Sequence, residues 1–362
     1  MSNNKTFIIS GGGTGGHIFP AVSIAGELGN KYPNAKIHFI GALGKMEMER
    51  VPAAGYPITG IPIMGINRKK PWKSIKVPFL LLKALWQCRS IMKKMKPDAV
   101  IGTGGYASGP ALWVAQRMGI PTLIQEQNSY AGVTNKALGK RANYICTAYE
   151  NAAKFFPAGK VRLTGNPVRQ QMLAGFPEAV ASANKLGLSG EKPVLLVLGG
   201  SLGARAINRQ MKESVQALLA QGWEIYWQCG KLYIDEYKAL NAPGVVVVDF
   251  ISDMASAYGA ATTIVSRAGA GTLSELCIVG KPAVLVPSPN VAENHQWHNA
   301  NALSGKGAAV LLEEKEMAEA FESILAGLLG DSDQRAALAK QCKAMALPQA
   351  TASIVELIDE MC

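Results

Sequence analysis

Cysteine is sparse in this 362-residue chain and never closely paired: Cys88, Cys146, Cys229, Cys277, Cys342 and Cys362 lie far apart, with no Cys-x-x-Cys. That spacing argues against a zinc ribbon or a disulfide framework and predicts small buried side chains in a reducing compartment. Histidine is scarcer still, with four residues in all. His295 and His298 are spaced i, i+3, but no third ligand stands near them, so no metal site is expected. Long apolar runs are missing too. The nearest, Val77–Trp86, is interrupted by Lys83 and falls short of the roughly 18–20 residues a membrane-spanning helix needs. The opening MSNNKTFIISGGG lacks a secretory apolar region. An Asp-x-Asp, the pattern with which many sugar-handling enzymes hold a cation, occurs only at Asp331–Asp333, in a polar stretch that reads as a turn and helix cap.

Acid is the other shortage, and it is local. Residues 1–165 hold 22 Lys and Arg against 6 Asp and Glu, leaving 15 against 20 for the remainder. The formal charge of +11 is therefore a strongly basic first half beside a mildly acidic second half. Ile66–Lys96 alone carries ten cations and no acid. A basic stretch invites a nucleic-acid or anionic-membrane reading, but no zinc-finger or RRM pattern accompanies it. Hydrophobic residues at 48% are enough for real cores, and the length predicts two domains.

Short continuous apolar strands alternate with helical stretches, the mark of parallel sheets buried on both faces. Thr6–Ser10, Lys36–Ile40, Ala99–Ile101, Pro121–Gln125 and Tyr144–Thr147 read as strands, with helices at about Pro20–Asn30 and Gly109–Met118. The pattern then restarts with the strand Pro193–Leu198 and a helix from Arg205. Further strands are Glu224–Gln228, Val245–Asp249, Thr262–Ser266 and Ala283–Pro287, with helices at Thr272–Val279, Asn294–Ser304 and Glu316–Leu329. This predicts an α/β chain of two Rossmann-like domains, 1–165 and 166–345, joined near Thr164–Arg169. The amphipathic stretch within 346–362 places Ile354, Val355 and Ile358 on one face and is expected to return to the first domain.

Three glycine-rich turns follow strands: Gly11–Gly16, Gly102–Gly109 and Gly199–Gly203. Glycine lets the backbone approach a phosphate, and the helix start behind it favours negative charge. Gly11, Gly13 and Gly16 fit the dinucleotide fingerprint, but its ribose-binding acid is missing: the second strand ends at Ile40–Gly41 and no acid follows until Glu47. An NAD-dependent oxidoreductase is therefore disfavoured and no cofactor is expected. His17, directly behind the first loop, has either a structural and phosphate-binding role or that of a general base.

Taken in order, GGGTGGH (Gly11–His17), GTGGYASGP (Gly102–Pro110), QEQN (Gln125–Asn128), TGNPVR (Thr164–Arg169), GGSLGA (Gly199–Ala204), SRAGAGTLSE (Ser266–Glu275) and NHQWHNA (Asn294–Ala300) resemble the MurG family, bacterial transferases that make lipid II from lipid I in peptidoglycan synthesis. The resemblance runs from residue 5 to about 310. It implies the GT-B fold, two Rossmann-like domains facing across a cleft, and metal-independent, inverting transfer of GlcNAc from UDP-GlcNAc to the MurNAc 4-hydroxyl. Thr14, Gly15 and Gly16 would face donor phosphates and acceptor. Asn128 and Gln296 would reach the GlcNAc side, with Asn299 as a further sugar contact. Arg169 and Ser201 would touch the uridine nucleotide, and Ile251 would hold uracil through its backbone. Ala270, Gly271, Thr272, Leu273 and Ser274 would present amides to the diphosphate, and Glu275 would grip the ribose hydroxyls; its plainer reading is a first-turn helix acid. His17 is the first candidate base and Glu126 the second. A related transferase with another lipid acceptor is the alternative.

The same resemblance places the chain at the cytoplasmic face of the inner membrane as a peripheral protein, with other cell-wall synthesis proteins as possible partners and no nucleic acid. Residues 66–96 suit that setting, since their cations alternate with Phe79, Leu80, Leu82 and Trp86 and would meet anionic lipid.

Overall fold

The structure, a computed structural model, describes residues 4–65, 76–168, 172–200 and 202–362. It divides into two compact units, Met1–Val168 with Pro348–Cys362, and Arg169–Leu347.

The first unit is built on seven strands: β1 (Thr6–Gly11), β2 (Lys36–Ala42), β3 (Ile58–Ile61), β4 (Ala99–Gly104), β5 (Thr122–Glu126), β6 (Tyr144–Thr147) and β7 (Val161–Leu163). They form one parallel sheet in the order β3-β2-β1-β4-β5-β6-β7. Its helices are α1 (Gly15–Lys31), α2 (Glu47–Ala53), α3 (Val77–Met95), α4 (Ser108–Arg117) and α5 (Val133–Gly139). The central strands are mostly apolar because both faces are covered, while the edge strand β7 is largely exposed. Phe7 and Ile9 point into a core shared with Ile18, Ile24 and Leu28 of α1, while Ile8 points into the opposite core with Ala84, Cys88 and Met92 of α3. The terminal helix Ala350–Met361 returns to this unit as expected, placing Ile354, Val355 and Ile358 in the α1 core. Its Asp359 takes an ion pair from Lys31 at 3.0 Å and its Glu360 accepts from the Tyr144 hydroxyl at 2.7 Å.

The second unit has six parallel strands, β8 (Val194–Leu198), β9 (Glu224–Gln228), β10 (Val245–Val248), β11 (Ala261–Ser266), β12 (Ala283–Leu285) and β13 (Val310–Leu311), ordered β10-β9-β8-β11-β12-β13. Its helices are α6 (Ala179–Lys185), α7 (Arg205–Ala220), α8 (Ile234–Tyr237), α9 (Met254–Ala260), α10 (Ala270–Val279), α11 (His295–Ser304), α12 (Met317–Gly330) and α13 (Ser332–Ala344). Leu195, Val197, Trp223 and Trp227 pack with Ile207 and Met211 of α7 and Phe321 and Leu325 of α12. The buried Trp227 indole donates to Asn208 at 3.1 Å, and Asn208 donates in turn to the Cys229 carbonyl at 2.9 Å, so this indole's polar atom is paired inside the core.

Some boundaries differ from the sequence reading. Helix α1 begins at Gly15 rather than Pro20, with Pro20 inside it at the cost of the bond its missing N–H would make to Gly16. Helix α10 begins two residues before Thr272. Strands β3, β7 and β13 are not among those read from the sequence: Thr59, Gly60 and Arg162 interrupt the first two, and the last has two residues. Asp331 caps α13, its carboxylate accepting from the Gln334 amide at 2.8 Å.

Candidate functional site

In each sheet the strand order reverses at one place, between β1 and β4 in the first unit and between β8 and β11 in the second. Chain leaving two such neighbours runs in opposite directions and opens a crevice beyond their carboxyl ends, where ligands bind in open α/β sheets. All three glycine turns found in the sequence lie at these points.

In the first unit the β1 and β4 turns interlock. The Gly12 amide donates to the Gly104 carbonyl at 3.2 Å. Gly105 has φ +84°, and a Cβ there would lie 2.2 Å from the Gly12 oxygen. Glu47, missed by the sequence reading as a site residue, braces the first loop from below. It is 0% exposed, and its carboxylate accepts from the Gly13 amide at 2.8 Å and the Ala42 amide at 2.9 Å. The first acid after the second strand is thus turned onto the loop's own backbone. The missing side chains of Gly12 and Gly41 make its room: Cβ atoms there would meet the Glu47 side chain at 2.2 and 2.7 Å.

His17 is half-buried in the first turn of α1. Its Nδ1 lies 2.8 Å from Gln127 Oε1, and its carbonyl accepts from the Thr103 hydroxyl at 2.8 Å. Nε2 has no hydrogen-bond partner among the described residues. Thr14 and Gly16 are exposed and Gly15 half-buried at the start of α1, and the Thr14 side chain makes no capping bond. Glu126 ends β5 at 1% exposure. One of its oxygens accepts from the Asn128 amide at 3.0 Å and Asn128 Nδ2 at 3.3 Å; the other accepts from the Gly132 amide at 2.9 Å and Asn135 Nδ2 at 2.8 Å. Both oxygens are occupied in holding the loop, and Asn128 is tied to them.

In the second unit Gly200 and Gly203 take φ of +79° and +78°, and a Cβ on Gly203 would lie 2.1 Å from the Cys229 oxygen. Helix α10 starts at the end of β11 behind Gly269. The Leu273 amide already bonds to the Gly269 carbonyl at 3.0 Å, and the Leu273 side chain is buried. The amides of Ala270, Gly271 and Thr272 lie ahead of this first helical bond. The Ser274 hydroxyl turns back to the Ala270 carbonyl at 3.1 Å. Glu275 is half-buried and accepts from the Tyr258 hydroxyl at 3.3 Å. Ile251 has a buried side chain, so only its backbone is on offer to a ligand. Gln296 Oε1 accepts from the Ser288 amide at 2.9 Å, leaving its Nε2 as a donor. Asn299 is 0% exposed and its Nδ2 reaches the Ala268 carbonyl at 3.3 Å. That bond ties α11 to the segment leading into α10. Arg169 and Ser201, and the 66–75 part of the basic stretch, lie outside the described residues. Among the described residues no group of three or more His, Cys, Asp or Glu is arranged to hold a metal ion.

Residues 7–147 match the glycosyltransferase family 28 N-terminal domain and residues 194–357 its C-terminal domain. One match falls on each sheet, and together they define a glycosyltransferase. The chain is 49% identical over 361 residues to the UDP-N-acetylglucosamine–N-acetylmuramyl-(pentapeptide) pyrophosphoryl-undecaprenol N-acetylglucosamine transferase of Christiangramia forsetii, covering 100% of this chain and 99% of that protein. The enzyme of the same name from Bacteroides fragilis is 48% identical over 96% of this chain and 93% of its own length. The crystal structure of Acinetobacter baumannii MurG matches with a TM-score of 0.81 at 32% identity, covering 98% of this chain and 99% of that one. A calicheamicin glycosyltransferase, at TM-score 0.70 and 14% identity, shares the fold alone. The chain belongs to glycosyltransferase family 28 and, within it, to the MurG family of N-acetylglucosamine transferases, with the GT-B fold.

Proposed function

We propose that the chain transfers GlcNAc from UDP-GlcNAc to the MurNAc 4-hydroxyl of lipid I, inverting the anomeric carbon and giving lipid II for peptidoglycan. The observation that carries this is identity of about half the residues, along the whole chain, with transferases named for that donor and acceptor.

The chemistry divides between the units. In the first, His17 Nε2 takes the proton from the attacking hydroxyl. Glu126 has both oxygens engaged by N–H donors, so its part is to hold the Asn128–Asn135 loop. In the second, negative charge grows on the departing UDP. The amides of Gly271 and Thr272, at the positive end of α10, stabilise it. Glu275 takes the ribose hydroxyls, and Gln296 donates to the sugar. The test is UDP release from UDP-GlcNAc with a soluble lipid I analogue, run beside diacylglycerol. Release with the analogue alone is expected; release with diacylglycerol alone would favour the alternative lipid acceptor. Glu275→Gln is expected to raise KM for UDP-GlcNAc about tenfold, the equivalent of ~1.4 kcal/mol, with a smaller change in KM for the acceptor.

No helix among the described residues is long and apolar enough to cross a membrane. Helix α3 buries Ala84, Cys88 and Met92 and turns Phe79, Leu82 and Trp86 outward at 76%, 66% and 71% exposure. Lys83, Arg89 and Lys93 share that outer face by helical spacing. Such a face suits peripheral docking on anionic lipid, aromatic and aliphatic groups entering the interface and cations meeting headgroups. Co-sedimentation with vesicles containing anionic lipid is expected to exceed that with neutral ones, and Phe79→Ser with Trp86→Ser to abolish most of it. Equal binding to both vesicle types would refute the electrostatic part.

A further inference from the structure

Beneath His17 lies a closed chain of side-chain amides. Asn166, 2% exposed, directs Nδ2 at the Gln127 carbonyl, 3.1 Å away. A carbonyl only accepts, so that contact fixes which way Asn166 faces, and its Oδ1 then accepts from Gln125 Nε2 at 2.9 Å. Gln125 is left with Oε1 toward Gln127 Nε2, which bonds to it and to two backbone carbonyls, Thr103 at 2.7 Å and Gln125 at 3.0 Å. Three acceptors around one nitrogen leave Gln127 no alternative orientation. Its Oε1 must face His17 Nδ1, at 2.8 Å.

We infer that Gln127 is a positioning residue that holds the proton of neutral His17 on Nδ1 and so leaves the Nε2 lone pair as the base. The inference rests on the proposed role of His17. An amide oxygen cannot donate, so Nδ1 must carry the hydrogen. No other ring contact among the described residues sets the tautomer: the Thr103 hydroxyl bonds to the backbone carbonyl of His17. The ring is also confined in place, because the absent side chain of Gly104 is what makes room for it; a Cβ there would lie 2.8 Å from Nδ1. The partner is neutral, unlike the carboxylate that orients histidine in serine hydrolases. It fixes the ring's orientation without adding a negative charge that would hold the imidazolium after proton transfer. Asn166, at the far end of the chain of amides and in the segment that leaves the first unit, secures Gln127 from behind.

The test is 15N NMR of the full chain labelled at histidine, with His17 assigned by its loss in His17→Asn. At a pH where His17 is neutral, the wild-type protein is expected to show a protonated Nδ1 and a bare Nε2. In Gln127→Met, of similar length but with no acceptor, the proton redistributes toward Nε2. There kcat falls about 10- to 100-fold, part of a general base's contribution, while both KM values stay within about twofold. A wild-type ring protonated at Nε2 would overturn the inference, as would an unchanged tautomer in Gln127→Met. The wild-type measurement stands even if that variant fails to fold. Wild-type turnover in His17→Ala beside the expected tautomer would remove the base and leave the Nδ1 assignment supported, so the two failures are read apart.

Discussion

Replacing His17 with alanine is expected to lower turnover by about 10²–10⁴-fold, the share a positioned general base contributes. That is a barrier increase of roughly 3–5 kcal/mol. The attacking hydroxyl is a weak nucleophile while it keeps its proton. Among the described residues of the first glycine-loop crevice, His17 offers an unoccupied basic nitrogen, whereas Glu47 and Glu126 have their oxygens committed to N–H donors. The variant is expected to keep KM for UDP-GlcNAc, since Glu275, Gln296 and the α10 amides proposed to hold the donor belong to the second unit. Glu126→Gln should act differently. It replaces an acceptor with a donor facing backbone N–H groups, so it is expected to raise KM for the acceptor and lower thermal stability. Steady-state UDP release, with kcat and each KM measured beside a thermal melt, separates the two. Wild-type turnover in His17→Ala would remove the assignment.

The second large effect is expected at Gly105. An alanine there meets two penalties at once: a φ of +84° that L side chains rarely adopt, and a Cβ 2.2 Å from a backbone oxygen that cannot rotate away. Strain of this kind costs about 1–3 kcal/mol, and separating the interlocked loops adds to it. The melting temperature of this unit is expected to fall by roughly 5–10 °C, at about 2–4 °C per kcal/mol for a unit of its size. Activity should fall further than stability, because the displaced Gly12–His17 segment carries the base. Two neighbours grade the effect. Gly13 has φ +85° with nothing within 4 Å of an added Cβ, so Gly13→Ala isolates the strain. Gly109 sits in α4 at ordinary φ with Thr134 3.6 Å away, so Gly109→Ala is expected to be neutral or slightly stabilising. Thermal melts of the three variants check the series. Equal melting temperatures would show that the loops yield freely.

These contrasts show which features were readable in advance. The glycine turns were legible because Gly105 and Gly203 have no substitute at their backbone angles, and runs such as TFIIS and VLLVL announce strands buried on both faces. Strands β3 and β7 were not, because Thr59, Gly60 and Arg162 break their apolar runs, and β13, of two residues, is too short to stand out at all. At the site, residue type was legible and commitment was not. Glu126 looked like a base because it is a carboxylate in a polar loop, yet Asn135, nine residues on, helps take up its oxygens. Glu47 counted only as an acid arriving too late for a ribose, because its bond to Gly13 spans 34 residues.

The terminal helix carries a consequence for how the molecule is made. Residues 350–361 complete the core around Phe7, Ile9 and Ile24, yet they are translated after the whole of the second unit. On the ribosome the sheet that begins first is finished last. The second unit emerges contiguous and can close its core at once, while the first waits with the groove along α1 open until Ile354, Val355 and Ile358 leave the exit tunnel. During that interval the nascent chain shows apolar surface to chaperones. A premature stop near residue 348 would turn this passing state into a permanent one, sparing the second unit and leaving the unit that holds His17 without its last wall.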